Sequence, residues 1–194
     1  MEADWSVEIG AGLPVIDADW PGFVDLRRDI DSITSISEAT AESALRDALV
    51  ALNAADSRAF TSKCDLWALE ADEIDADEFG STAQDACAEG WASWIDLMAR
   101  DPQQFASFEA YEAWVRRATE GLRTDAVPCG RVDLVVRAAV AGGREGFGIT
   151  LYAAGCGVDT QAARAAWERV LRVAVTATIR EHGRVAQSDR APAF

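Results

Sequence analysis

The fold is decided by the segment at 132–154, which reads VDLVVRAAVAGGREGFGITLYAA. Its two apolar runs, at 132–140 and 147–154, are rich in β-branched residues and flank a glycine-containing stretch at 142–146. Two such runs joined by a few residues that include glycine are typical of a β-hairpin. We therefore expect two antiparallel strands here, with 142–146 as their loop.

Strand and helix patterns alternate along the rest of the chain. Helical patterns begin near Ser35, after Ser107 and near Thr160, and the last runs to about His182. Strand patterns are found at 5–9, 15–19, 23–26, 59–70 and 91–98. The last of these also fits one face of a helix. The order predicts an α+β fold: a mixed or antiparallel sheet with about three main helices packed on one face.

The composition is that of an acidic globular protein. Apolar residues make up 49% of the 194 positions, and the formal net charge is −15. An acidic surface repels phosphate backbones and anionic lipid headgroups, so we expect no nucleic-acid and no membrane binding. Residues 1–5 lack the features of a signal peptide, and no stretch approaches the ~18 apolar residues of a membrane helix. A cytoplasmic location is therefore expected.

The two ends of the chain differ in character. Residues 1–182 contain no linker-like segment, and we expect them to form a single α+β domain. Residues 183–194 look unlike the rest, and their back-translation resembles the first half of a transfer-RNA gene. We hypothesise that the reading frame overlaps such a gene. The tail is then expected to be disordered.

The cysteines and the histidine exclude several classes of enzyme. Four cysteines are widely spaced without a C-x-x-C pair, which predicts free thiols rather than disulfides in a cytosolic chain. His182 is the only histidine, which argues against Ser-His and Cys-His hydrolases and against zinc enzymes with histidine ligands. No metal site and no cofactor is expected.

The tripeptide Gly155-Cys156-Gly157 lies between the hairpin and the last predicted helix. A tight turn needs small residues such as these. A cysteine at a helix start can instead be a reactive nucleophile, because the helix N-terminus lowers a thiol pKa. The pattern also hints at a dinucleotide loop, but its last glycine and the strand after the helix are missing.

Lys63 is the only lysine of the chain. In a strand at 59–70, Lys63 and Asp65 are two residues apart and share a face. Asp96, in the strand at 91–98, is a further candidate for the same side of the sheet. If these strands neighbour the hairpin, Lys63, Arg137 and Tyr152 could converge as an anion-binding pocket. The alternative is salt bridging of Lys63, Asp65, Asp133 and Arg137 on an open sheet face.

Two functions are consistent with these patterns. The first is an acidic binding or protein-interaction module, with a homodimer left open. The second is an enzyme acting on a small anionic ligand held by Lys63 and Arg137, with Cys156 as nucleophile. The partner is accordingly a protein or an unidentified small anionic ligand. The candidate ligand-binding residues are Lys63, Asp65, Arg137, Tyr152 and Cys156.

Overall fold

The computed structural model describes residues 1–10, 14–17, 22–81, 87–125 and 127–179. Within these ranges the strands are β1 (Glu2–Glu8), β2 (Val15–Asp17), β3 (Ala59–Leu69), β4 (Glu89–Ala99), β5 (Gly130–Ala141) and β6 (Arg144–Gly157). The helices are α1 (Ser37–Ala41), α2 (Ser43–Asn53), α3 (Pro102–Phe105), α4 (Phe108–Arg123) and α5 (Thr160–Ile179). Short 3₁₀ turns occupy Ile30–Ser35, Ala71–Glu73 and Ala76–Phe79.

The strands form one mixed sheet in the order β1-β5-β6-β4-β3. β1 pairs with β5 in parallel, and β2 continues along the same edge of β5, also in parallel. The pairs β5–β6, β4–β6 and β3–β4 are antiparallel. Three of the described helices, α2, α4 and α5, have 11, 16 and 20 residues. The predicted α+β fold with a mixed sheet and about three main helices is confirmed.

The hairpin of β5 and β6 is longer and tighter than its sequence pattern predicts. Arg144 and Glu145 pair with Ala141 and Val140, so the connection consists of Gly142 and Gly143 alone. Both glycines have positive φ, at 55° and 72°. A two-residue turn of this kind follows the right-handed twist of the strands and favours glycine at both positions. The five-residue loop expected at 142–146 is therefore wrong.

One face of the sheet packs against the main helices. α5 contacts β6, β4 and β5, and it lies between α2 and α4. Trp167 of α5 is fully buried and donates its Nε1–H to Ser93 Oγ of β4 at 2.9 Å. The sheet side of this core consists of side chains that alternate along the strands and are at most 1% exposed: Val132, Leu134, Val136, Ile149, Leu151, Ala153, Ile95 and Leu97.

Gly155 and Gly157 lie within β6, so the predicted tight turn and the dinucleotide loop are both wrong. A Cβ at Gly155 would lie 2.2 Å from the backbone nitrogen of Trp167. A Cβ at Gly157 would lie 2.6 Å from the nitrogen of Ala163. Glycine is needed here because the backbone of α5 rests directly on the strand.

The remaining local predictions have mixed outcomes. α4 begins after Ser107, whose Oγ accepts from Ala110 N at 3.2 Å, as expected of an N-cap. The segment at 91–98 belongs to a strand rather than a helix. The single helix expected to begin near Ser35 is two helices, α1 and α2, interrupted at Glu42, and α2 ends at Asn53 as predicted.

The strand expected at 23–26 is wrong, because Asp25 there accepts hydrogen bonds from Arg27 in a turn. His182 and the tail at 183–194 lie outside the described residues. The last helix begins at Thr160 as predicted. Its predicted end near His182, the limits of the domain at 1–182 and the disorder of the tail stay predictions. Within the described ranges, no helix has the length and apolar character needed to cross a membrane.

Candidate functional site

The sheet face opposite the helices is covered at its two ends by neighbouring segments. At one end Val15 lies over Gly148, Arg27 stacks on the Phe60 ring at 4.2 Å, and Ser62 Oγ donates to the Ile16 carbonyl. At the other end, a small apolar cluster packs under the 3₁₀ turns; it contains Ile74, Ala76, Phe79, Cys87 and Cys156. Between these ends lies a surface that we call the polar sheet face: Lys63, Asp65, Trp94, Asp96, Asp133, Arg137, Thr150 and Tyr152.

Strand register places four side chains of this face and one of β1 in a single row across the sheet. Asp4 of β1 pairs with Asp133, Asp133 with Tyr152, Tyr152 with Trp94, and Trp94 with Asp65 of β3. Trp94 and Tyr152 are partly exposed, and Asp65 is exposed. We call this line the aromatic row. Two adjacent rings thus stand at its centre, with carboxylates on both sides.

The next row along the strands contains the buried carboxylate Asp96. Asp96 is only 7% exposed, and its Oδ1 accepts a hydrogen bond from Thr150 Oγ1 at 2.6 Å. A bulge in β3 puts Ser62 and Lys63 opposite this single residue. Burial raises the pKa of Asp96, while the Thr150 hydrogen bond and the charges of Lys63 and Arg137 act in the opposite direction.

Arg137 contacts a neighbouring tyrosine and a carboxylate at the edge of the sheet. Its Nη2 donates to the Tyr152 hydroxyl at 3.3 Å and lies 2.9 Å from Glu8 Oε2. Lys63 and Arg137 thus both lie near enough to Asp96 to lower its pKa, and Tyr152 contacts Arg137. Asp65 lies on the same face, where its Oδ1 accepts from Leu66 N at 2.7 Å. Their role in ligand binding stays a prediction.

The charges of this group do not favour an anion. Lys63 and Arg137 are accompanied by the carboxylates of Glu8, Asp65 and Asp96. Arg137 is already paired with Glu8, and Lys63 lies near enough to Asp96 to influence its pKa. Salt bridging was the alternative interpretation, and the observed pairs are of that kind, although with different partners. Asp133, which that interpretation included, pairs with Arg131 at 2.6 Å rather than with Arg137.

A cleft of about 390 Å³ continues the aromatic row beyond Asp133. Arg131 contributes one cation to it and pairs with both Asp133 and Glu78. Arg123 contributes a second cation, 3.3 Å from Asp4. The acidic lining consists of Glu2, Asp4, Asp77, Glu78 and Asp133. Acidic groups thus outnumber basic ones here as well.

Cys156 does not belong to this group, and its predicted role as a free nucleophile is wrong in this structure. It lies near the end of β6, not at a helix start, and it is 2% exposed among apolar side chains. Its Sγ is bonded to Cys87, so the expectation of free thiols fails for this pair. Cys64 is free, but burial raises the pKa of its thiol to about 12.

Sequence reasoning missed Glu8 and Thr150. Both reach the site through strand pairing, since Glu8 lies opposite Arg137 in β5 and Thr150 lies opposite Asp96 in β4. A parallel pair between the first strand and β5 leaves no local signal in the sequence. The alternation of polar residues in β6, where Thr150 and Tyr152 are two apart, was the one available indication.

Comparison with known proteins adds no assignment to this geometry. No protein-family model matches the sequence, and neither a curated protein nor a solved structure matches it. The chemistry of the site itself therefore carries the functional argument.

Proposed function

We propose that the chain is a cytoplasmic binding module that recognises a cationic, extended segment of a partner protein along the aromatic row. The observation that carries this proposal is the row itself: Trp94 and Tyr152 side by side, with Asp65 at one end and Asp133 and Asp4 at the other. Aromatic faces attract cations, and carboxylates accept charge-assisted hydrogen bonds from Arg and Lys.

The dimensions of the row suit a short peptide. Five strands about 4.8 Å apart give a row of roughly 19 Å. An extended chain rises about 3.3 Å per residue, so roughly six residues would span it. A net charge of −15 attracts a basic partner over a distance and raises its association rate.

The same pairing of guanidinium and aromatic ring already occurs within the fold. Arg164 lies 4.2 Å from the ring centre of Trp91, and Arg58 lies 4.2 Å from that of Trp114. A partner arginine over Trp94 would make the contact that these side chains make internally. An anion, in contrast, would have to compete with Glu8 for Arg137 and with Asp96 for Lys63.

The test is selection from a random library of short peptides on the immobilised full chain. We expect the bound peptides to be enriched in Arg and Lys. Asp65→Asn should weaken the selected peptides about tenfold, since a charge-assisted contact contributes about 1.5 kcal/mol or more. Trp94→Ala should weaken them by a similar factor.

Asp47→Asn is the matched control, because Asp47 is an exposed carboxylate on α2, away from the aromatic row. It removes the same charge and should leave peptide affinity nearly unchanged. Acidic peptides among the selected set, or equal losses for Asp65→Asn and Asp47→Asn, would contradict the proposal. Circular dichroism of each variant checks that the fold is retained.

A second candidate is an enzyme that acts on a small anionic ligand held by Lys63 and Arg137. One observation favours it: Asp96 is a buried carboxyl whose pKa is raised by burial and which lies within the electrostatic influence of Lys63 and Arg137, and many general acids and bases are found in such settings. Cys156 has no part in this version, because its sulfur is bonded to Cys87.

Calorimetry with inorganic phosphate and with acetate tests this candidate directly. Binding of either ion that is lost in Arg137→Gln would favour the enzyme over the peptide-binding module. An affinity that is the same in Arg137→Gln and in the unmodified protein would rule out this anion site.

A further inference from the structure

Three of the four cysteines converge at the end of the sheet that lies under the 3₁₀ turns. The Sγ atoms of Cys87, Cys129 and Cys156 all lie within 4.8 Å of one another. Cys87 and Cys156 are buried and Cys129 is partly buried. They come from three separate parts of the chain: before β4, before β5 and near the end of β6. We call this group the cysteine triad.

Main-chain hydrogen bonds hold the three positions together independently of the sulfur atoms. Cys156 N donates to the Cys129 carbonyl at 3.0 Å, and Ala88 N donates to the Gly157 carbonyl at 2.9 Å. Cys129 has φ 56°, in the left-handed region that glycine favours. The chain thus keeps a cysteine in a conformation that disfavours side chains, and residues so placed are common at functional sites.

We propose that the reduced protein binds one zinc ion at the cysteine triad, and that the Cys87–Cys156 disulfide is the oxidised, metal-free form of the same site. Three thiolates around zinc have Zn–S distances of about 2.3 Å, which puts tetrahedral sulfurs roughly 3.8 Å apart. In the structure the three Sγ atoms lie within 4.8 Å of one another, so small side-chain rotations suffice to bring them to the spacing that zinc requires.

The charge and softness of the ligands favour zinc. Thiolates select soft or borderline cations over magnesium or calcium. Three thiolates with a divalent ion leave one net negative charge, whereas a monovalent copper ion leaves two. The smaller residual charge is less costly among Ile74, Phe79 and Ala76, and in a chain that is already strongly acidic. Within the part of the chain that the structure describes, the group supplies three ligand atoms, so a further ligand completes the tetrahedron.

The two forms are connected by ordinary thiol–disulfide exchange. A small thiol attacks the Cys87–Cys156 bond, and a second equivalent releases both sulfurs as thiols with formation of one small-molecule disulfide. Zinc then displaces the thiol protons. A reducing compartment keeps thiols in this state, which agrees with the cytoplasmic location that we propose.

Zinc binding to the reduced, chelator-stripped full chain tests the proposal. Competition against a chromophoric chelator should show one zinc per chain, and Co²⁺ should produce a sulfur-to-metal charge-transfer band. Cys129→Ser should lower zinc affinity at least tenfold. Cys64→Ser is the matched control, since Cys64 is a partly buried free thiol outside the cysteine triad, and it should bind as the unmodified protein does.

A second readout separates lost binding from a lost fold. Zinc should raise the thermal midpoint of the unmodified protein and of Cys64→Ser by similar amounts, and should raise that of Cys129→Ser by less. Cys64→Ser and Cys129→Ser losing equal affinity would overturn the proposal. So would a reduced, unmodified protein that shows no charge-transfer band with Co²⁺ and no midpoint shift with zinc.

Discussion

The two faces of the central sheet are built from the same strands, yet they have different chemistry. Towards α5 the side chains are almost wholly apolar, and Trp167 and Gly155 meet in direct contact. Towards the other side, Trp94 and Tyr152 are partly exposed, and Asp96 is a buried carboxylate. Because successive side chains along a strand point to opposite faces, each strand contributes residues to both surfaces.

This comparison separates stability from function. The side chains of the helix-covered face are closely packed against the helices, so a substitution that changes their size should lower the stability of the fold. The polar sheet face contains groups whose contacts are partly with solvent, so a substitution there should change binding, pH response or association instead.

Gly155→Ala should have the largest effect. Its Cβ would lie 2.2 Å from the Trp167 backbone nitrogen, and a backbone atom of a packed helix cannot move aside cheaply. We expect a loss of about 3 kcal/mol or more in the free energy of unfolding, measured by urea denaturation. Gly121→Ala on α4 is the control, because nothing lies within 4 Å of its added Cβ. It should stabilise by about 0.5–1 kcal/mol. Similar losses for both variants would contradict the close packing of β6 and α5.

Trp167→Phe and Tyr152→Phe compare one polar group on each face. The first removes the buried hydrogen bond to Ser93 Oγ and leaves a cavity, so we expect a loss of about 2–3 kcal/mol. The second removes the 3.3 Å contact with Arg137 at a partly exposed site, so we expect a loss below about 1 kcal/mol. Chemical denaturation of both variants measures the two losses in free energy of unfolding. A loss for Tyr152→Phe that equals or exceeds that for Trp167→Phe would contradict the separation of the two faces.

Asp96→Asn should change the pH dependence of stability. Burial raises the pKa of Asp96, so the folded protein keeps this proton where the unfolded chain has lost it. The resulting stabilisation is complete below the ordinary aspartate pKa and is lost as pH rises through the raised value. Asparagine carries no such proton. Asp96→Asn should therefore become more stable relative to the unmodified protein as pH rises through this window, measured as the free energy of unfolding. A difference that is constant across a pH series of urea denaturations would show that Asp96 does not contribute in this way.

Lys63→Ile should have the smallest effect on stability and act on association instead. Lys63 is exposed in a bulge of β3, which is a terminal strand of the sheet. Bulges and lysines at sheet edges oppose pairing with another chain. We expect the free energy of unfolding to change by at most about 0.5 kcal/mol. In sedimentation at high concentration, we expect Lys63→Ile to show a larger mean mass than the unmodified protein. Lys63→Arg keeps the charge and should sediment as the unmodified protein does. If Lys63→Ile sediments in the same way too, the lysine does not protect this edge, and the homodimer left open by the sequence needs another surface.

Elements with strong local patterns could be predicted from the sequence, and sites made by long-range pairing could not. Apolar periodicity identified the β5–β6 hairpin and α5, and the Ser107 cap identified the start of α4. The same reasoning placed Lys63 and Asp65 on one face of β3. It failed at Gly155, where small size serves helix packing and not a turn, since no local pattern distinguishes the two.

The cysteines show the same limit more clearly. Cys87 and Cys156 are 69 residues apart, and no spacing rule joins them or adds Cys129. Their convergence depends on which strands become neighbours, which in turn depends on the register of β4 and β5 against β6. A prediction of free thiols was the natural one from spacing alone, and tertiary structure overturned it.

The sequence by itself determined the α+β class, the acidity and the two-faced alternation of each strand, because these depend on residue type and on neighbours a few positions apart. Only the tertiary structure decided that Asp96 meets Thr150, that Arg137 meets Glu8 and that three sulfurs share one end of the sheet. The reason is physical: strand order and register are set by the burial of the whole core, and a one-residue change of register would move every one of these side chains to the opposite face.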